Sequence, residues 1–202
     1  MTGTPRRDRY HHGDLRTALV DTGFDLLAES GLAEFSVARV ARRLGVSTAA
    51  PYRHFPDRDH LLAAVATRAA TELAAEVERA VDAAGSDPVD RFAASGGAYV
   101  RFAATRGAGF AVIFAVDLRD LRDEALSAAG RHLMDRLLDL AREAIGGDTE
   151  RALWLLEQQV ALAHGYVALL SDGFFARPHH TIDHLAVQAE RAARTLIRGL
   201  EP

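Results

Sequence analysis

The chain has 202 residues, 49% of them hydrophobic, and 24 basic against 28 acidic side chains give a net charge of −4. It contains no cysteine, which excludes disulfides, thiolate catalysis and cysteine-ligated zinc. No run of 18 apolar residues occurs and none follows Arg6, Arg7 and Arg9, so neither a membrane span nor a secretory signal is expected, and the reading is of a cytoplasmic protein.

Alanine, leucine and arginine recur at helical spacing, with no β-branched run and no sustained period-two alternation, which predicts an all-α chain of about nine helices. Residues 1–11 read as a polar arm. Leu15, Leu19, Thr22 and Leu26 mark one face of a first helix, about 13–30, closed by Ser30-Gly31. Ser36 is an N-cap for a short second helix with Val37, Val40, Ala41 and Leu44 inward, ended by Gly45. Ser47 then caps a third helix through Phe55, with Pro51 placed near its first turn. Asp57 or Asp59 starts a long fourth helix striped by Leu61, Val65, Ala69, Leu73 and Val77. Further helices are expected at about 88–105, 108–118, 121–145, 149–171 and 181–200, with breaks at glycines between them.

Two short helices joined by a tight turn at Gly45 make a helix-turn-helix over 35–62. Gly45 tolerates the positive φ of the turn. The second helix must expose small or polar side chains at its start to sink into a major groove, which Ser47, Thr48, Ala49 and Ala50 allow. Tyr52, Arg53 and His54 offer donors to phosphates or base edges. Charge adds little: residues 1–60 hold nine arginines against eight acids, and all basic residues of the chain are arginine. On pattern alone a helical hairpin of an ordinary bundle stays open as an alternative.

The apolar start Phe35-Ser36, VARRLGVS at 40–47, YRHFPDRDHLL at 52–62 and the AESG ending at 28–31 closely resemble the DNA-binding domain of TetR-family regulators over residues 10–65. YHHGDLR at 10–16, AAPYRHF at 49–55 and His164-Gly165 resemble the subgroup with a WHG-type C-terminal domain; Val160 stands where its tryptophan is expected. The resemblance implies a DNA-binding set of Ser36, Ser47, Thr48, Ala49, Tyr52, Arg53, His54 and Arg58. In it Ser47, Thr48 and Ala49 face base edges, Tyr52 and His54 meet phosphates, Phe55 is buried against the first helix, and Arg58 grips a phosphate. It also implies two domains, residues 1–60 for DNA and 61–202 for effector binding and dimerisation.

Helix 149–171 has one stripe of Leu153, Leu156, Val160, Ala163, Val167 and Leu170 and another of Leu155, Leu162, Tyr166 and Leu169, so it is expected to be buried on two sides, one of them against a second copy. Leu185, Ala189, Ala192, Leu196 and Leu200 stripe the last helix. Aromatics on the middle helices are pocket candidates: Tyr99, Phe102, Phe110, Phe114, Trp154, Tyr166, Phe174 and Phe175, with His132, His164 and Gln159 as polar anchors. His179, His180 and His184 read as a helix-start cluster, and no metal or cofactor is expected. No phosphate loop, nucleophile elbow or paired carboxylate with a rationale is present, so an enzyme is not expected. The sequence thus points to a dimeric DNA-binding transcription regulator, a repressor released from a palindromic operator by a small-molecule effector. A constitutive DNA binder without an effector, or an all-α enzyme, are the alternatives.

Overall fold

The computed structural model describes residues 12–107, 112–114, 121–175 and 181–199. Among these the chain is all-helical, with α1 His12–Ser30, α2 Val37–Leu44, α3 Arg58–Ala83, α4 Pro88–Arg106, α5 Glu124–Ile145, α6 Thr149–Ser171 and α7 Ile182–Arg198, plus single 3₁₀ turns at Pro51–Arg53 and Val112–Phe114. The described residues therefore hold seven α-helices, not about nine.

Local chemistry sets the boundaries. Asp57, Asp87, Asp123, Asp148 and Thr181 each lie in extended or near-extended backbone and accept a main-chain N–H in the first turn of the helix that follows. Asp123 starts α5 three residues later than the sequence suggests, because Arg122 adopts a left-handed φ of 49° that no helix accommodates. The expected helix at 108–118 falls mostly outside the described residues; what is described of it is the turn at Val112–Phe114.

The third helix of the head is the main correction. With Ser47 as N-cap, Pro51 would occupy the first position whose N–H must bond to the cap carbonyl, and proline has none. Instead Ala50 N donates to Ser47 O at 3.0 Å, and a new turn starts with Pro51 in its first position. His54 N and Phe55 N both donate to Pro51 O, at 2.9 and 3.0 Å. The proline is tolerated by restarting the turn, so 47–55 is a chain of tight turns and not one α-helix.

One apolar core runs from α1 to α7. Leu61, Val65, Ala69, Leu73 and Val77 of α3 are all buried; Val65 lies close to Gly23 of α1, and Leu73 and Val77 share a wall with residues of α4, α5 and α6. α4 packs most extensively on α7. Gly97 permits that approach, since a Cβ there would collide with the Glu190 carboxylate. α6 buries Ala152, Leu155, Leu156, Gln159 and Ala163 and turns Leu153, Trp154 and Leu169 outward. The two expected stripes are thus shifted around the helix: Leu153 belongs to the outer face and Leu155 to the inner one.

Candidate DNA-reading head and interior site

The head is built by α1, α2 and the turns at 47–55. Ser36 is extended and its Oγ accepts Arg39 N at 3.2 Å, so it serves as the cap of α2. Gly45 ends α2 at φ 71°, and Val46 N reaches back to Ala41 O at 3.0 Å, which turns the chain sharply into Ser47. A Cβ on Gly45 would meet nothing within 4 Å, so the glycine answers to backbone conformation and not to crowding. Ser47, Thr48 and Ala49 stand exposed directly after this turn. Tyr52 is 55% exposed although aromatic, while Phe55 beside it is buried with the Arg16 guanidinium 4.9 Å above its ring. Arg53 is exposed and His54 half-buried.

The arginines divide into committed and uncommitted. Arg39 pairs with Glu34 at 3.0 Å, and Arg43 makes a two-pronged pair with Glu29 across α1 and α2. That pairing holds the Glu29 carboxyl below its ordinary value. Arg58 is engaged on the protein's own backbone. Its Nε donates to Phe35 O at 3.3 Å and a terminal nitrogen to Leu32 O at 3.2 Å. It also pairs with Asp59 at 3.3 Å and lies 5.8 Å over the Phe35 ring. It ties the start of α3 to the loop between α1 and α2. Arg42 and Arg53 are exposed and have no ion pair among the described residues. Arg42 escaped the sequence reading because three arginines crowd α2; it is set apart only once Arg39 and Arg43 are seen to pair with Glu34 and Glu29, five and fourteen positions away.

In the body the structure brings together Tyr99 and His164. The Tyr99 hydroxyl lies 3.1 Å from His164 Nδ1, and burial pushes the phenol above its ordinary pKa, so it stays protonated. Phe102 is buried, whereas Trp154 and His132 face outward, and Tyr166 stacks on Phe175 at 6.0 Å between ring centres. Phe110 and the Phe114 side chain lie outside the described residues, as do His179 and His180. Of the candidate pocket residues, Tyr99 and His164 border cavities. Two spaces flank Tyr99: a small void of about 10 Å³ bounded by α3, α4, α5 and α6, and an open groove of about 600 Å³ between α5 and α6. Gln159, on the void side, donates from Nε2 to Ser95 Oγ at 2.7 Å and to Phe92 O at 3.3 Å.

A belt of guanidinium groups joins body to head. Arg68 of α3 and Arg106 at the end of α4 stand 5.5 and 5.2 Å from the ring of Phe24 on α1. Both pair with Glu72, at 2.9 and 3.1 Å, and Arg68 also pairs with Asp21 of α1. Phe24 is fully buried between them.

A helix-turn-helix with an exposed reading edge, joined by one long helix to a helical body, defines a DNA-binding transcription regulator. The family pattern described as bacterial regulatory proteins, tetR family, matches residues 19–65, and that described as tetracyclin repressor-like, C-terminal domain, matches residues 92–196. The chain belongs to the TetR family of bacterial regulators. It is similar to a Rhodococcus sp. RHA1 protein whose structure is described as of unknown function, at 32% identity and a TM-score of 0.80 over 97% of this chain and 100% of that one. A transcriptional regulator from the same organism shares the fold at 23% identity and a TM-score of 0.69, over 93% and 99% of the two chains. PfmR, a TetR-family regulator of Thermus thermophilus, shares it at 20% identity and a TM-score of 0.63, over 91% and 99%. No curated protein matches the chain. Regulators of this family are not enzymes, and no helix among the described residues is long and apolar enough to cross a membrane.

Proposed function

We propose that the chain acts in the cytoplasm as a homodimeric repressor, bound to a palindromic operator and released by a small-molecule effector held in residues 61–202. The observation that carries this reading is the outer face of α6. Leu153, Trp154 and Leu169 are each 40% or more exposed on one chain, a costly display of apolar surface unless another chain covers it. A second copy supplies the second reading head, which a palindrome requires.

In this reading Ser47, Thr48 and Ala49 approach base edges, and Tyr52, His54, Arg53 and Arg42 contact phosphates. Ser36 and Arg58 act on DNA indirectly, by fixing α2 and the loop behind it. The effector acts through α4. The Arg106–Glu72–Arg68 belt around Phe24 passes a displacement of that helix to α1. A cleft of about 400 Å³ between the head and the start of α5 leaves the head room to tilt. Recognition requires the two heads about 34–36 Å apart, so a modest tilt breaks it.

Selection of bound fragments from a random DNA library tests the reading. A two-fold symmetric sequence bound at twice the chain mass is the expected result. A monomer at micromolar concentration, or selection that yields no common sequence, overturns it.

A further inference from the structure

Among the described residues three buried side-chain polar atoms have no hydrogen-bond partner, Glu72 Oε2, Arg142 Nε and Gln159 Oε1, and of these residues Gln159 carries no charge and makes no ion pair. Gln159 is 4% exposed. Its Nε2 serves Ser95 Oγ and Phe92 O, and Ser95 Oγ already donates its own proton to Phe92 O at 2.7 Å. Ser95 Oγ is therefore an acceptor toward the amide. This decides which end of the amide is nitrogen, since the reverse orientation would set oxygen against oxygen. Gln159 Oε1 is left buried with no hydrogen bond. An apolar side chain of the same size would avoid that penalty, so the amide at this position calls for a donor that arrives from elsewhere.

The same residue lines the small void, together with Leu73, Val77, Leu137 and Leu156. The void has room for about one water, and a buried water wants two to four polar partners. Ser95 and Tyr99, the other polar side chains of its wall, are already engaged. Tyr99, Leu156 and Val160 form the outer wall of the void and also the floor of the open groove. One layer of side chains separates the two spaces, and Tyr99 is the polar member of that layer. No charged side chain borders the void, whereas Glu157 and His164 stand in the groove.

We propose that the void is the collapsed inner end of the effector site. Gln159 Oε1 accepts a hydrogen bond there from a neutral, mainly apolar ligand that carries a hydroxyl or N–H at its leading end. A carboxylate or ammonium at that end would enter a chamber with no counter-charge, which excludes ionised ligands from the inner position. The ligand enters by displacing Tyr99 from His164, and its trailing part occupies the groove. This inference rests on the effector-released reading and gives its ligand a chemical class.

The test uses the full chain and a matched pair of probes, 4-propylphenol and 4-propyltoluene, in calorimetric titration. The two differ by O–H against CH₃. The toluene is the more hydrophobic, so partitioning alone favours it. The wild-type chain is expected to bind the phenol about tenfold more tightly, the order of one net hydrogen bond. Gln159→Leu, and Gln159→Met as a variant that keeps the side chain's length, are expected to reverse that preference while melting no lower than wild type. Failure of both probes to bind, equal affinities, or a phenol preference that survives in the folded Gln159→Met chain overturns the proposal. Operator binding is measured in parallel without probe. A chain that binds operator but shows no phenol preference overturns the ligand class alone; one that prefers the phenol but binds no operator keeps the site and overturns the regulator reading.

Discussion

Replacement of Arg58 separates two roles for that side chain. If it is a phosphate contact, Arg58→Ala lowers operator affinity and removes about one counterion from the salt dependence. If it is the clamp its contacts describe, the main loss is stability. The variant gives up two hydrogen bonds from a charged group, at 3.3 and 3.2 Å, and a ring contact at 5.8 Å. Its side chain is 44% exposed, so solvent screens each of these, and the Asp59 pair adds little. The sum comes to about 1–2 kcal/mol. For a chain of this length that lowers the melting temperature by roughly 2–8 °C. Arg58→Lys keeps the charge but cannot reach two carbonyls with a planar fork, so it recovers part of the loss at most. Thermal unfolding and operator titration at several salt concentrations read both quantities. An unchanged melting temperature with a salt slope reduced by about one, fully restored by lysine, would refute the clamp.

The uncommitted arginines should behave in the opposite way. Arg42→Ala and Arg53→Ala are each expected to lower the salt slope by up to about one while leaving the melting temperature within about a degree, read in the same titrations. Gly45→Ala forces a side chain into φ 71° and should cost about 1 kcal/mol by denaturant unfolding, with weakened operator binding because the reading edge starts at that turn. Gly97→Ala sets a methyl against Glu190, which Arg101 and Arg194 hold from either side at 3.5 and 3.9 Å; a loss of about 1–3 kcal/mol is expected from unfolding curves. Glu78 receives Arg136 Nε at 2.6 Å, which holds its carboxyl below the ordinary carboxylate value. The stability it contributes is therefore complete above that ordinary range and is lost as pH falls through the depressed folded value. Acid unfolding of Glu78→Gln should show a shallower pH dependence than wild type in that window.

How far the sequence carries can be judged from three places. At α2 it carries nearly everything, because a cap serine, an apolar face and a terminal glycine act within one short segment: Ser36 and Gly45 stand as their types predict. At 47–55 it falls short by a single residue. Proline is free of cost at the first position of a turn and not at the fourth, and the difference depends on where the turn starts. At α6 the composition shows a helix apolar nearly all round, but periodicity alone does not say which side faces the core. Trp154 and Leu153 face out, and the inward face includes a polar residue, Gln159. Its significance depends on Phe92 and Ser95, which sit more than sixty positions earlier and whose distances no pattern encodes.

The coupling between body and head can be tested separately from ligand chemistry. An effector shifts the DNA-binding equilibrium only by the difference between its affinities for the two states. Opening the void moves Tyr99, and Arg106 lies about two turns further along the same helix. Arg106 reaches the head through Glu72 and the Phe24 ring. Arg106→Gln keeps the length of the side chain and removes both the charge pair and the cation–ring contact. Its operator affinity without probe should stay within about threefold of wild type, because Arg68 still holds Phe24 and Asp21. Its affinity for 4-propylphenol should also be unchanged. The release of operator by the phenol should fall, since the displaced helix no longer pulls on α1. Undiminished release by the variant would show that the signal leaves the body by another path, with α3 itself the remaining connection.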